Sequence, residues 1–181
     1  MNKIKQKIKI FILRLKLYCK YRNFNMSLSE NIIISRKAKI ILGENSKLVI
    51  GKNVYISDNS RLIVHNNSTL ILEDNVYVSI NSIISSNSSV IIGKNTSIAH
   101  NTTIIDTNKK FEDINIRIKD QGIVSKSIYI GEDCWLATGV VVLPGVTLGR
   151  HCIVGANSVV SNSFEGNCVL GGVPAKIIRK L

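Results

Sequence analysis

From Ile130 onward an aliphatic residue stands at every sixth position: Ile130, Leu136, Val142, Leu148, Val154 and Val160. A helix repeats near 3.6 residues and a strand at 2, so a sustained period of six describes one short strand plus one turn. The following residue is small at most of these places, namely Gly131, Ala137, Gly149, Gly155 and Ser161, which lets the backbone turn beside the inward side chain. Three such units close a triangular coil, and successive coils stack about 4.8 Å apart. The spacing therefore predicts a parallel β-helix of about five coils rather than a sandwich.

The first half carries a looser form. Its inward candidates are Leu42, Ile50, Ile56, Val64, Leu72, Val78, Ile84, Ile92, Ile98 and Ile104, spaced by six or eight. Two extra residues preserve the inside/outside alternation of a strand, so both spacings fit one solenoid. Corners such as Lys52-Asn53, Asp74-Asn75 and Lys94-Asn95 suit left-handed turns, which Asn tolerates. From Ile104 the next inward position is Ile130, a step of 26 residues, so a polar excursion over 106–127 leaves the coil. Long loops on rigid scaffolds are a usual seat of function.

Charge is unevenly placed. The chain has 181 residues and a net charge of +12, but Lys3, Lys5, Lys7, Lys9, Arg14, Lys16, Lys20 and Arg22 all precede the first acidic residue, Glu30. Removing those eight from +12 leaves +4 for the rest, which argues against a nucleic-acid groove in the domain itself. Ile4, Ile8, Phe11, Ile12, Leu15, Tyr18 and Cys19 recur at helical spacing, so residues 1–26 read as a basic amphipathic arm. Its surface suits either packing on protein or peripheral contact, through residues 1–22, with an anionic membrane. No apolar run approaches the roughly 18 residues of a membrane span, and the lysines break any secretory signal.

Cys19, Cys134, Cys152 and Cys168 are too scattered for a disulfide framework, and no metal-ligand spacing is present. Cys134 and Cys152 fall one coil apart and should stack inward as thiols, with a reducing cytoplasm as the expected compartment. His65 and His151 read as solvated corners, and Trp135 as an outward side chain.

The stretch IGEDCWLATGVVVLPGVTLGRHCIVGANSVV from Ile130, followed by GGVPAKIIRKL to Leu181, resembles the hexapeptide-repeat acyltransferases, specifically the acetyl-CoA-dependent O-acetyltransferases of sugars and bacterial surface polysaccharides. The resemblance spans roughly residues 30–181. It implies an all-β, left-handed parallel β-helix, homotrimers with active sites between subunits, and acetyl-CoA lying along the coil edge beside the extended loop. With the arm, the loop and a short helical C-terminal tail, this completes the expected architecture. The implied cofactor contacts are Trp135, Ala137, Thr138, Ala156, Ser161 and Asn162, with Lys176 and Arg179 meeting the adenosine phosphates. No metal is implied.

Two positions depart from the family. Ser161-Asn162 stands where relatives often have Thr-Lys. The loop reads Asp106-Thr107-Asn108-Lys109 where relatives carry Asp-His-Asn-His, so Asn108 keeps its place and Lys109 occupies that of a histidine. A lysine with an ordinary pKa near 10.4 is a poor base at neutral pH, whereas histidine titrates near 6.5. His100 is therefore the candidate substitute base and Lys109 a candidate oxyanion partner. The expected function is acetyl transfer from acetyl-CoA to a hydroxyl of a sugar or lipid-linked glycan in surface-polysaccharide synthesis, by direct transfer. It would take place in the cytoplasm or at the inner membrane face. The rival reading is a trimeric β-helix scaffold that has lost catalysis with the loop histidine.

Overall fold

A computed structural model describes residues 25–181. The amphipathic helix expected over 1–26 therefore lies outside the described residues except for its last two positions. These belong to a strand, Asn25–Leu28, paired with Lys47–Ile50. The solenoid thus includes residue 25 and does not begin at 30.

Three parallel sheets form the three faces of the coil, as the six-residue period requires. The first contains Lys47–Ile50, Thr69–Leu72, Ser89–Ile92, Ile128–Ile130 and Thr147–Leu148 behind the opening strand. The second runs from Ile33–Ile34 through Tyr55–Ile56, Tyr77–Val78, Ser97–Ile98 and Trp135–Leu136 to Cys152–Val154, and the third from Lys39–Leu42 to Val159–Val160. Each sheet holds at least six strands in parallel register, so the stack has six rungs, against the roughly five that the spacing predicted. Two strands of the first rung, Asn25–Leu28 and Ile33–Ile34, precede the inward position Leu42, which closes that rung. This is the expected all-β parallel β-helix, the left-handed β-helix class.

All the inward positions expected from spacing are buried, from Leu42 to Val160. In-register partners lie 22 residues apart in the first two steps of the third face (Lys39 with Arg61, Arg61 with Ile83) and 20 in the next (Ile83 with Thr103). The step then widens to 38 (Thr103 with Val141) and contracts to 18 (Val141 with Val159). The wide step is one coil plus the excursion.

Corners are built by backbone handedness. Asn45, Asn53, Asn59, Asn67, Asn75, Asn81, Asn95 and Asn101 all take φ between 51° and 60°, the left-handed region that Asn enters at lower cost than most residues. Their amides then form ladders: Asn53 donates to Asn75 at 2.9 Å and Asn75 to Asn95 at 2.8 Å. Below the Asn ladder the same corner carries Asp133 and His151, whose Nδ1 lies 2.7 Å from the Asp133 carboxylate. Buried hydroxyls close the turns from inside, Ser60 donating to Ser79 O at 2.9 Å and Thr96 to Gly131 O at 2.9 Å.

The tail departs from expectation. Ala175–Lys180 is not helical but a strand, antiparallel to Cys168–Gly172. The last coil leaves an open sheet edge, and Gly172 at φ +102° turns the chain back to pair with it. The edge N–H and C=O groups gain partners, and the β-branched Ile177 and Ile178 favour the extended form. Cys134, Cys152 and Cys168 are buried, unbridged neighbours, with Cys152 Sγ 3.7 Å from Cys168 Sγ. The Cys134 thiol and burial push Cys152 well above its ordinary pKa, so this thiol stays protonated.

Candidate active site

The corner between the second and third faces collects one set of expected site residues. His100 follows the strand Ser97–Ile98, Ala137 and Thr138 follow Trp135–Leu136, and Ala156 follows Cys152–Val154. Backbone bonds fix them as one column: Gly139 N donates to His100 O at 2.9 Å, and Asn157 N to Thr138 O at 2.9 Å. The N–H groups of Thr138 and Ala156 themselves donate to no acceptor among the described residues. Both residues are exposed and small, Ala137 is buried beneath them, and Gly139 takes φ +74°. The corner therefore leaves two unpaired backbone donors at exposed residues on adjacent rungs, which suits an extended ligand rich in amide carbonyls.

Histidine commitments separate the three candidates. The His65 ring lies 3.3 Å from Ser85 Oγ, and His151 pairs with Asp133. His100 is exposed, and its ring makes no hydrogen bond or ion pair among the described residues. Of the three, its ring is the one without a polar partner, and it stands one rung from Thr138.

The second set lies elsewhere. Asn108 and Lys109 leave the corner between the third and first faces, at the far end of Thr103–Ile105 from His100. Thr107–Lys109 pairs antiparallel with Ile123–Ser125, Lys109 opposite Ile123, so the excursion is a ribbon projecting from the solenoid. At its tip Ile114 is 95% exposed, with Phe111 and Ile118 also open. Ser161 and Asn162 sit below the ribbon's corner, after Val159–Val160, and both are exposed. One chain therefore does not bring His100 together with Lys109.

The ribbon's base is rigid for a reason that spacing did not show. Asp106 is fully buried and its carboxylate accepts N–H bonds from Asn87 at 2.7 Å and Ser88 at 2.8 Å. Asn87 Nδ2 donates to Ser125 Oγ at 2.8 Å, and Lys126 N returns to Asp106 O at 2.9 Å. Both ends of the excursion are thus tied to the preceding coil. The sequence signal was an acidic residue at a corner opposite Asn87-Ser88, visible only once the register is known.

Trp135 points outward and is 52% exposed. It belongs to a column on the second face that continues through Ile153 and Val169 on one side and Ser97 on the other. Beyond Ser97 come Tyr77 and Tyr55, stacked at 5.3 Å. The tail crosses this face at its end, with Lys176 opposite Gly171 and Arg179 opposite Val169. Both are exposed, so the column is a largely apolar stripe that ends in two cations.

Residues 127–162 match the family model described as bacterial transferase hexapeptide (six repeats). WbbJ of Escherichia coli, named for O-acetyl transfer in lipopolysaccharide biosynthesis, is 52% identical over 56 residues, 31% of this chain and 29% of that protein. The galactoside O-acetyltransferase of Lactococcus lactis is 42% identical over 57 residues, 32% of this chain and 28% of that enzyme. The matched part thus spans under a third of these curated relatives. Among solved structures, a mutant of AntD, an N-acyltransferase from Bacillus cereus in complex with dTDP and coenzyme A, superposes with a TM-score of 0.75. The identity there is 18%, covering 92% of this chain and 88% of that one. The polySia-specific acetyltransferase NeuO gives a TM-score of 0.65 at 20% identity, covering 88% and 87%. These likenesses concern the fold.

Proposed function

We propose that this chain, a parallel β-helix bearing the transferase hexapeptide repeat over 127–162, transfers an acetyl group from acetyl-CoA to a sugar hydroxyl in the synthesis of a surface polysaccharide. The observation that carries the reading is the corner column in which an uncommitted His100 adjoins the open backbone donors of Thr138 and Ala156. The relatives matched over about a third of the chain supply the reaction class.

In this reading the pantetheine arm of acetyl-CoA lies along the column and accepts hydrogen bonds from those N–H groups. Trp135 and the tail residues Lys176 and Arg179 flank it, the cations meeting its phosphates. His100 takes the proton of the acceptor hydroxyl as the oxygen attacks the thioester carbonyl carbon. Collapse of the tetrahedral adduct breaks the carbon–sulfur bond, and His100 returns the proton to the departing thiolate. Lys109 stabilises the oxyanion between these steps. None of the described cysteines serves as a nucleophile in this reading, since Cys134, Cys152 and Cys168 are buried in the core.

His100 and Lys109 stand at opposite ends of one face, so the reading requires the ribbon of one subunit to meet the corner of another. A homotrimer meets this requirement. The apolar stripe through Tyr55, Tyr77, Trp135 and Ile153 supports association, because open surface of that kind favours coverage. The test is thiol release from acetyl-CoA over a panel of sugars, read with thermal stabilisation by acetyl-CoA alone. Stabilisation with release is expected. Absence of both would leave the β-helix as a scaffold, in line with Lys109 at the histidine position.

The arm over 1–22 is proposed to hold the protein at the cytoplasmic membrane face, since each basic residue near anionic headgroups contributes about 1 kcal/mol. A chain beginning at Asn25, which keeps the first strand whole, should lose binding to anionic liposomes and retain stabilisation by acetyl-CoA. Unchanged liposome binding would refute the assignment.

A further inference from the structure

A shallow groove of about 450 Å³ runs beside the His100 corner, lined by Lys37, Lys39, Asn59, Arg61, Asn81 and Ile83. Lys39 and Arg61 are in-register neighbours on adjacent parallel strands, side chains outward on the same face. Like charges placed directly across a ladder repel and are destabilising, and a solenoid has no packing need for them there. Neither has a carboxylate partner among the described residues. Asp58, beside the groove residue Asn59, is engaged elsewhere: it lies 3.5 Å from Lys37 Nζ and accepts the Ser35 hydroxyl. The Ser35 hydrogen bond, with the Lys37 charge, holds its carboxyl below the usual range. The groove therefore keeps a net charge of about +2 at neutral pH, with the amides of Asn59 and Asn81 on its wall.

Its position is as informative as its charge. Asn101 N donates to Ile80 O at 3.0 Å and Asn81 Nδ2 donates to Asn101 Oδ1 at 3.2 Å. The lower end of the groove is thus one rung, about 4.8 Å, above the coil that carries His100. A group held by Arg61 and Lys39 and joined to a sugar would set that sugar's ring against the His100 corner.

We propose that this groove binds a diphosphate, and that the acceptor is a sugar linked through a diphosphate and not a free or uncharged glycan. Two cations one rung apart match two adjacent phosphoryl groups, Arg61 as a bidentate donor and Lys39 as a point charge. The Asn amides donate to the remaining oxygens. The acceptor assignment rests on the acetyl-transfer reading above, whereas the anion site does not. A nucleoside diphosphate sugar and an isoprenyl-diphosphate-linked sugar present the same group, and the test separates them.

The first arm titrates the full chain with inorganic pyrophosphate by calorimetry. The double variant Lys39→Gln/Arg61→Gln should bind at least tenfold more weakly, and Lys47→Gln, on the first face, should bind as the parent does. All three proteins carry the same basic arm over 1–22, so its nonspecific contribution cancels. Relief of like-charge repulsion should leave the double variant's melting temperature equal or higher, which keeps folding out of the comparison. Pyrophosphate affinity unchanged in the double variant overturns the proposal.

The second arm measures kcat/KM for acetyl transfer to a sugar diphosphate and to the same sugar without phosphate. The double variant should lose at least tenfold on the first and nothing on the second, and equal effects on both overturn the acceptor assignment. Transfer to neither acceptor, with pyrophosphate binding still dependent on Lys39 and Arg61, would uphold the groove and refute the acetyl-transfer reading. Competition with pyrophosphate by uridine diphosphate identifies the nucleotide-linked source. Competition by farnesyl diphosphate in phosphatidylcholine vesicles identifies the lipid-linked one, and competition by neither overturns the proposal.

Discussion

Replacing His100 with alanine should lower kcat for acetyl transfer by at least about 100-fold, the low end of what a positioned general base contributes. Acetyl-CoA should still stabilise the variant by nearly the parental shift in melting temperature. That split follows from the corner geometry: the ring of His100 makes no hydrogen bond or ion pair within the described residues, while the donors proposed to grip acetyl-CoA are the backbone N–H groups of Thr138 and Ala156. A side-chain truncation removes the base and leaves those donors in place. His100→Gln should be as inactive as His100→Ala, since an amide keeps hydrogen bonding but accepts no proton. Parental kcat in both variants would end the role assigned to His100. Lys109→Ala should cost less, roughly tenfold to 100-fold, because it stabilises charge but moves no proton.

The largest effect on stability is expected at Asp106. Its carboxylate is fully buried and takes two backbone N–H bonds, from Asn87 and Ser88, at 2.7 and 2.8 Å. Hydrogen bonds to a charged group contribute about 1.5–3 kcal/mol each, and the two donors would be left buried without an acceptor. Asp106→Ala should therefore destabilise the fold by about 4 kcal/mol, on the order of 10 °C in melting temperature for a chain of this size. Asp106→Asn restores one acceptor but turns an N–H toward another N–H, and should recover less than half of the loss. Because the residue pins the base of the 106–127 excursion, any folded Asp106 variant should lose kcat more than acetyl-CoA affinity. A loss below about 1 kcal/mol in chemical denaturation would show that the coil relaxes around the missing carboxylate.

The six-residue period was sufficient for the inner surface. Each aliphatic side chain from Leu42 to Val160 that the spacing placed inside is buried, and the Asn corners take the left-handed backbone that their side chains favour. Periodicity is local, and so are the turn preferences that accompany it. The excursion was legible for the same reason, as the place where a local rule lapses. The tail was not. GGVPAKIIRKL carries no alternation strong enough to distinguish a strand from a helix, and the choice was made by the unpaired edge of Cys168–Gly172 waiting for partners.

The site divides along the same line. The column of His100, Ala137, Thr138 and Ala156 followed from knowing which residues turn corners, and a resemblance in sequence named most of them. Register decided the rest. It put Asp106 against Asn87 and Ser88, stacked Tyr55 on Tyr77, stood Arg61 beside Lys39, and set Lys109 at the far end of the face from His100. By itself the sequence determined the coil, its corners and its interruption, because these depend on neighbours within a few residues. Only the tertiary structure decided which side chains meet across coils. Steps of 22, 20, 38 and 18 residues bring distant positions to adjacent rungs, and each step depends on the whole coil between them.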